Sequence, residues 1–369
     1  MRALTSSNSG LPGIACELAP GVTLANVPAP SLSPGQALVD VDAASIHRAD
    51  ALQLHGDYPP PEGEPDIPGL AVVGRILSAE AALHQRVSLE IERAMWQRDP
   101  ILALVPAGGL ADLARIDLSL ALPLPVTQPA LRMVEGGGLE PHPCTEAERA
   151  VSLVEPCAAT WLNLKILANL QPGQTILIHG GSGAVGTIAI QLAAHLGARI
   201  IATAGTPQRA TACRELGAHA AIDYHDDVAA AVGDYTNGNG VDAILDVIGA
   251  GGLDLNTRLL APEGTLLLLG LHKGRRGEVD LARVMTKRLH ITGATLRSAP
   301  PALKRRVVDD LLTHVWPLVE DGVIRPIVDA VYPLDACSDA FARLAPAWFS
   351  GDDTRGLEAP FGGLVARMR

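Results

Sequence analysis

The sequence predicts an α/β protein that combines a doubly wound parallel sheet with a second, β-rich domain. Three observations support this prediction. From about residue 173 onward, short segments rich in Val, Ile and Leu alternate with segments of helical periodicity. A glycine-rich turn over 181–186 joins the first of these strand-like segments to the first helical one. The first third of the chain instead holds short strand-like segments separated by clusters of proline. Alternating strands and helices form parallel sheets that are covered on both faces.

The N-terminal third has the pattern of a β-domain. Short strands are predicted at 21–24, 36–41 and 71–76. Prolines between 28 and 34 and between 59 and 68 separate them, and such punctuation is typical of a small β-barrel or folded β-domain.

Two stretches interrupt this pattern. Residues 79–108 show no clear periodicity, and 125–144, rich in proline and glycine, is predicted to be an exposed loop or insertion. Thr145 and Glu148 then form a capping box, so a helix is predicted to begin there.

The second part of the chain alternates between strands and helices. Helices are predicted over 184–196 and 209–216, and a glycine follows each of them. Strands are predicted at 175–179, 199–203, 220–223, 241–247, 265–269 and 289–295. About six such strands make a doubly wound fold. After Pro326 the chain again shows short strand-like pieces, so the predicted order is a β-rich domain over 1–155, an α/β domain over 156–325 and a return to the first domain over 326–369.

Composition excludes several classes of protein. The chain has 369 residues, 48% of them apolar and 19% charged, so it can bury a sizeable core. Its formal net charge of −11 argues against nucleic acid or an anionic membrane as the main partner. The five cysteines are dispersed and lack metal-ligand spacing, which favours a reducing, cytoplasmic location without structural zinc. The sequence shows neither a signal peptide nor an apolar run of the roughly 20 residues that a membrane span needs.

The glycine-rich turn matches G-x-G-x-x-G and predicts a dinucleotide site, because it follows a strand and opens an amphipathic helix. We expect Gly181 to permit the tight turn, Gly183 to let the backbone approach a pyrophosphate, and Gly186 to allow close packing of helix on strand. The helix N-terminus then favours the phosphates. The remaining residues of the predicted loop are Ser182, Ala184 and Val185.

The end of the second strand favours NADPH over NADH. An NAD site normally places an acid there for the ribose 2′-hydroxyl, yet no acid occurs after this strand before Glu215. A small neutral pocket at Gly205, beside Arg209, would suit a 2′-phosphate, and Tyr224 could add a hydroxyl contact. The alternative for Arg209 is a plain exposed helix residue.

At these residues the sequence resembles the medium-chain dehydrogenase/reductase superfamily, and within it the zinc-independent quinone oxidoreductase branch. The segment 179–187, continued by 190–193, looks like the cofactor loop and helix of that branch. Segments 45–50 and 56–61 resemble its N-terminal signature, and further matches lie at 202–206, 295–298 and 314–318.

The resemblance implies a GroES-like β-domain that both chain ends build around a Rossmann-like cofactor domain. It also implies a homodimer, with the leucine-rich strand at 266–269 on the dimer edge. Several further residues would border the cofactor in the same way, namely Thr160, Gly270, Leu271, Thr295 and Leu296.

The departures from the superfamily concern the substrate side. Zinc-dependent members have a Cys where His47 stands and a His-Glu pair where Leu70 and Ala71 stand, so a catalytic metal is not expected here. The quinone oxidoreductase branch usually has Asn in place of His47 and Glu in place of Ala71. The stretches 125–144 and 347–360 look like insertions.

The resemblance therefore implies hydride transfer from NADPH to a small-molecule quinone or activated enone. Without zinc, hydrogen-bond donors would meet the developing oxyanion, and the candidates are His47 and Tyr58. Each has a simpler alternative, a local hydrogen bond for His47 and a loop anchor for Tyr58. At the level of function, the alternatives are an enoyl or enone reductase on the same scaffold and a catalytically silent NADPH-binding sensor or nucleic-acid-binding module.

Overall fold

The structure is a computed structural model that describes residues 1–6, 15–19, 21–80, 88–345 and 358–368, with the backbone alone at 15–19. The chain forms two compact units. Unit 1 consists of Met1–Ala130, His142–Glu155 and Arg297–Arg369. Unit 2 consists of Leu131–Pro141 and Pro156–Leu296.

Eighteen strands and eleven α-helices occur in the described residues. The strands are β1 (Arg2–Ser6), β2 (Ala15–Ala19), β3 (Val22–Asn26), β4 (Gln36–Ile46), β5 (Ala71–Ala79), β6 (Ile101–Leu104), β7 (Leu113–Asp117), β8 (Ala121–Pro123), β9 (Leu131–Met133), β10 (Leu139–Pro141), β11 (Thr175–Ile178), β12 (Arg199–Ala204), β13 (Ala220–Asp223), β14 (Val241–Asp246), β15 (Leu260–Leu268), β16 (His290–Gly293), β17 (Val328–Pro333) and β18 (Gly363–Arg367). The helices are α1 (Arg48–His55), α2 (Leu89–Gln97), α3 (Glu146–Trp161), α4 (Ala184–His195), α5 (Pro207–Glu215), α6 (Val228–Thr236), α7 (Leu253–Leu259), α8 (Leu281–Lys287), α9 (Pro301–Asp310), α10 (Trp316–Glu320) and α11 (Cys337–Leu344).

Unit 1 is built on a seven-stranded sheet in the order β17-β18-β4-β5-β6-β8, with β7 also paired to β4. β4 alternates buried and partly exposed residues before it becomes wholly buried at its end, as expected of a strand with one face on a core. A three-stranded sheet, β1-β3-β2, belongs to the same unit. β18 pairs antiparallel with β4 and parallel with β17, so the chain after 326 does return to the β-rich unit.

Unit 2 is built on a six-stranded parallel sheet in the order β13-β12-β11-β14-β15-β16. The central strands β12, β11 and β14 are largely Val, Ile, Leu and Ala and are mostly buried, as strands covered on both faces must be, whereas the edge strands β13 and β16 are more exposed. The strand order reverses between β11 and β14, and such a switch point is where doubly wound sheets bind ligands. The predicted α/β fold class is confirmed.

Several local predictions are confirmed. The strands predicted from residue 175 onward and the helices predicted at 184–196 and 209–216 lie within a few residues of their observed positions, whereas α6, α7 and α8 were not predicted. The capping box also forms, since the Thr145 N–H donates to the Glu148 carboxylate at 2.8 Å and the Glu148 N–H donates to the Thr145 hydroxyl at 3.3 Å.

Other predictions need correction. The 79–108 stretch carries α2 and β6, and the segment predicted as an exposed loop contains the β9–β10 hairpin. The leucine-rich strand expected at a dimer edge is β15, which lies inside the sheet between β14 and β16. β15 is rich in leucine because its neighbouring strands and the helices that cover the sheet bury these side chains. Most of the 347–360 insertion lies outside the described residues.

The bounds of the units also differ from the expected domains at two places. Residues 131–141 cluster with unit 2, and residues from 297 onward cluster with unit 1.

Candidate functional site

The carboxyl ends of the parallel strands in unit 2 bring the predicted cofactor residues to one edge of the sheet. Because all six strands point the same way, the loops that leave them emerge together. These loops contain the 181–186 turn after β11, Gly205 and Arg209 after β12, Tyr224 after β13, Gly270 and Leu271 after β15, and Thr295 and Leu296 after β16. The order along the edge follows the strand order.

Packing explains most glycines of the turn. A Cβ at Gly181 would lie 2.9 Å from the Cβ of Ala202, and a Cβ at Gly186 would overlap the carbonyl oxygen of Gly180. The left-handed backbone of the turn lies at Gly180, whose φ is 69°, one residue before Gly181. Gly186 has the role predicted for it, which is close approach of the helix to the strand–turn junction.

Gly183 differs from these two glycines. It is the N-cap of α4 and offers no side-chain cap. A Cβ at this position would meet the nearest protein atom, the Gly180 carbonyl oxygen, at an ordinary 3.5 Å. Protein packing therefore does not demand glycine here, whereas close approach of a phosphate to the backbone would. Ser182, Ala184 and Val185 are partly exposed beside it.

A buried hydrogen-bond network holds the turn from beneath. The Thr203 hydroxyl accepts the Gly180 N–H at 3.2 Å and lies 3.2 Å from Nδ1 of His179, while the Thr203 carbonyl accepts the Gly181 N–H at 2.8 Å. Nε2 of His179 lies 2.8 Å from the Asn256 side-chain oxygen, which can only accept. A neutral imidazole satisfies both contacts when Nε2 donates to Asn256 and Nδ1 accepts from the Thr203 hydroxyl. Burial lowers the pKa of His179, in agreement with this assignment.

The region predicted to bind the ribose phosphate is ordered by close contacts. Thr206 caps α5 by accepting the Arg209 N–H at 3.2 Å. A Cβ at Gly205 would lie 3.0 Å from the Tyr224 hydroxyl, so only glycine lets the phenol ring lie over this position. The Tyr224 side chain is 55% exposed, whereas Arg209 is only 6% exposed and therefore is not the plain surface residue of the alternative interpretation.

Glu215 does not replace the acidic residue that an NAD site normally has at the end of its second strand. It is the last residue of α5, and its carboxylate accepts the Leu139 N–H at 3.1 Å. Thr160 is fully buried in α3, and its hydroxyl has no hydrogen-bond partner among the described residues.

In unit 1, Asp50 fixes the backbone at His47. The buried Asp50 carboxylate accepts the His47 N–H at 2.7 Å and the Gly69 N–H at 2.6 Å, which ties the start of α1 to the turn before β5. Burial raises the pKa of Asp50, and these two hydrogen bonds oppose the rise.

The His47 ring faces a carboxylate that the sequence analysis missed. Its Nε2 is buried, has no hydrogen-bond partner in the described part of the chain, and lies 3.7 Å from the Glu155 carboxylate. His47 is 9% exposed, so the ring is largely withdrawn from water. The local hydrogen bond proposed as the simpler role for His47 involves its backbone and leaves Nε2 available.

Tyr58 is held by a buried arginine, Arg297, which the sequence analysis quoted only as part of a matching segment. The Arg297 guanidinium donates to the carbonyls of Tyr58 at 3.0 Å and Pro106 at 2.6 Å and to the Gln53 side chain. It also lies 4.9 Å from the centre of the Tyr58 ring, which is a cation–π contact. The predicted loop-anchor role of Tyr58 thus has a physical basis.

The chemistry of the donor set does not suit a catalytic metal. Leu70 and Ala71, at the positions that the resemblance assigns to metal ligands, are buried and carry no ligating atom. Within the described residues, no three His, Cys, Asp or Glu side chains come together as a metal site would require. No helix in that same part of the chain is long and apolar enough to cross a bilayer.

A doubly wound sheet with this glycine-rich turn, joined in one chain to a β-rich unit that both chain ends build, is typical of pyridine-nucleotide-dependent dehydrogenases and reductases. The chain is similar to proteins of the medium-chain dehydrogenase/reductase superfamily. Residues 184–313 match the family described as zinc-binding dehydrogenase, a segment that contains none of the positions 47, 70 and 71.

Individual relatives include quinone oxidoreductases, to which this chain is similar in sequence and in structure. A quinone oxidoreductase of Pseudomonas aeruginosa is 31% identical over 202 residues, which are 54% of this chain and 61% of that protein. The structure of the quinone oxidoreductase of Thermus thermophilus, described also in complex with NADPH, has a TM-score of 0.72 and 25% identity and covers 100% of both chains.

The chain is also similar to part of a much larger protein. It is 28% identical over 320 residues to a phthioceranic/hydroxyphthioceranic acid synthase of Mycobacterium tuberculosis, a match that covers 86% of this chain. This chain spans only 14% of the length of that synthase.

Proposed function

We propose that the protein is an NADPH-dependent, metal-free oxidoreductase that transfers hydride to a quinone or an activated enone. The observation that carries this proposal is the open N-terminus of α4 at Gly183, which a turn packed tightly at Gly181 and Gly186 presents at the switch point of the sheet. Similarity to quinone oxidoreductases supports the choice of hydride acceptor.

Different residues at the carboxyl edge of the sheet would bind different parts of the cofactor. The 181–186 turn would hold the pyrophosphate, because backbone N–H groups and the positive end of the helix attract anions. Arg209 and Tyr224, on either side of Gly205, would hold the ribose 2′-phosphate, since a guanidinium and a phenol are both hydrogen-bond donors. The nicotinamide half would lie toward Thr160, Gly270, Leu271, Thr295 and Leu296.

When bound, NADPH supplies the hydride. The acceptor then develops negative charge on its oxygen, and a positioned donor there lowers the barrier. We assign that donor to Nε2 of His47, which the fold leaves without a hydrogen bond. The Glu155 carboxylate lies 3.7 Å from this nitrogen, and the Tyr58 hydroxyl would be the second donor.

We also propose that the protein forms a homodimer through the outer edge of β16. Among the described strands β16 ends the sheet, and its exposed Ile291 is accompanied by exposed Leu281 and Met285 on α8. An open strand edge beside apolar side chains favours pairing with a second copy. Light scattering of Ile291→Lys should report monomers, and a variant that stays dimeric would contradict this interface.

The experiment that tests the proposed function is NADPH consumption, followed optically with a panel of ortho- and para-quinones and simple enones. NADH runs in parallel. Turnover with NADPH and a quinone would establish the proposed reaction, and turnover with enones alone would establish the reductase alternative. NADPH binding without turnover on any acceptor would favour the silent sensor, and absence of binding would overturn the proposal.

A further inference from the structure

The β9–β10 hairpin, which the sequence analysis predicted as an exposed loop, lies against α5 in unit 2. It contacts that helix at two positions. The N–H of Leu139 donates to the Glu215 carboxylate at 3.1 Å, and a Cβ at Gly137 would overlap the carbonyl oxygen of Gln208. Gln208 and Glu215 are seven residues apart and therefore lie on one face of α5. The hairpin packs along that face.

Gly137 packs against the peptide group that joins Gln208 to Arg209. The carbonyl of Gln208 belongs to the same peptide as the N–H of Arg209, and that N–H donates to the Thr206 hydroxyl. The peptide that leads into Arg209 is thus held on its N–H side by the helix cap and on its carbonyl side by the hairpin. Arg209 itself is buried in this arrangement.

Hydrogen bonds within the hairpin keep Gly137 in this position. Its strands pair in register from Leu131 to Pro141, and the turn is closed by hydrogen bonds from the Val134 N–H to the Gly138 carbonyl and from the Gly137 N–H to the Val134 carbonyl. Gly136 and Gly137 have nearly equal positive φ values of 89° and 91°, but only Gly137 is buried against α5.

We propose that the hairpin is a specificity-determining element, which holds the first turn of α5 so that Arg209 meets the 2′-phosphate of NADPH. This proposal rests on the proposed function, because it assumes that Arg209 binds that phosphate. The hairpin positions Arg209 and does not itself contact the cofactor. Loss of the contact therefore weakens binding of NADPH and leaves binding of NADH, which lacks the phosphate, nearly unchanged.

The two adjacent glycines provide a matched test. Gly137→Ala and Gly136→Ala introduce the same backbone strain, because both residues have a left-handed φ, but only Gly137→Ala places a methyl group against Gln208. The readout is equilibrium binding of NADPH and of NADH to the full chain by fluorescence titration, with thermal melts to check folding. We expect Gly137→Ala to weaken NADPH binding about tenfold relative to Gly136→Ala, with NADH changed less than about threefold.

A second variant keeps the test decisive if Gly137→Ala does not fold. Glu215→Ala removes the other contact at an exposed position and should lower the NADPH preference in the same direction by about two- to threefold. Equal NADPH-to-NADH affinity ratios in the wild type and the variants that fold would overturn the proposal, as would equal weakening of both cofactors. A wild-type chain that binds NADPH no tighter than NADH would instead refute the assignment of Arg209 in the proposed function.

Discussion

Replacing Arg297 with methionine tests whether this buried guanidinium organises the loop that carries Tyr58. Arg297 is 7% exposed and donates to two main-chain carbonyls and to the Gln53 amide. Methionine keeps an unbranched side chain but leaves these buried acceptors unpaired and removes the positive charge near Asp50. A buried acceptor without a donor costs about 1–3 kcal/mol, so we expect Arg297→Met to lower the free energy of unfolding by about 3–5 kcal/mol.

Urea denaturation followed by circular dichroism measures this loss. Arg306→Met is the matched control, because Arg306 is an exposed arginine of the same unit and its loss should change stability by less than about 0.5 kcal/mol. Arg297→Lys should lie between the two, since one ammonium group cannot reproduce the planar fork that serves several acceptors. Equal urea midpoints for Arg297→Met and Arg306→Met would refute this reasoning.

Four further predictions concern the candidate sites. Thr203→Val removes the acceptor of the Gly180 N–H and should weaken NADPH binding about tenfold in fluorescence titrations. Because burial lowers the pKa of His179, the unfolded chain takes up the proton first as the pH falls. The free energy of unfolding should therefore decrease below about pH 6.5, and His179→Gln should flatten that slope in urea titrations. Arg209→Ala should remove most of the preference for NADPH over NADH, measured as a ratio of dissociation constants, because the 2′-phosphate loses its cation. His47→Ala should lower kcat on a quinone by about 100-fold while NADPH affinity stays unchanged, because only the proton donor is lost.

Each of these predictions has a contradicting outcome. Thr313→Val, at an exposed hydroxyl, is the control for Thr203→Val, and equal NADPH affinities of the two variants would remove Thr203 from the loop's support. An unchanged pH slope in His179→Gln would assign the slope to other groups. Undiminished NADPH preference in Arg209→Ala would refute the phosphate assignment, and unchanged turnover in His47→Ala would leave that histidine a structural residue.

Motifs within short stretches of sequence made it possible to predict the fold and the carboxyl edge of the unit 2 sheet as the candidate cofactor site. The glycine-rich turn, the strand before it and the helix after it lie within about twenty residues, and the apolar periodicity around them is strong. Gly186 could be assigned its packing role for the same reason. The sequence did not identify Gly180 as the left-handed residue, because the neighbouring glycines could each have adopted that conformation.

Contacts between distant segments were not predictable from one sequence. Glu155 faces His47 from more than a hundred residues away, and Arg297 donates to Gln53 across 244 residues. No periodicity or motif connects such pairs. The hairpin on α5 was missed for a related reason, since its glycines and prolines are typical of an exposed loop and its docking partner lies in another part of the sequence.

The position of β18 determines the order in which unit 1 can assemble during synthesis. β18 completes the sheet by pairing with the end of β4, from Ala43 to Ile46, immediately before His47. During synthesis, β4 therefore lacks this pairing partner until the 156–296 segment, which makes up most of unit 2, has been made and can fold. The segment that leads into His47 therefore gains this pairing partner only after residues 363–367 have been synthesised, so unit 2 can fold before the backbone beside the proposed proton donor is fixed.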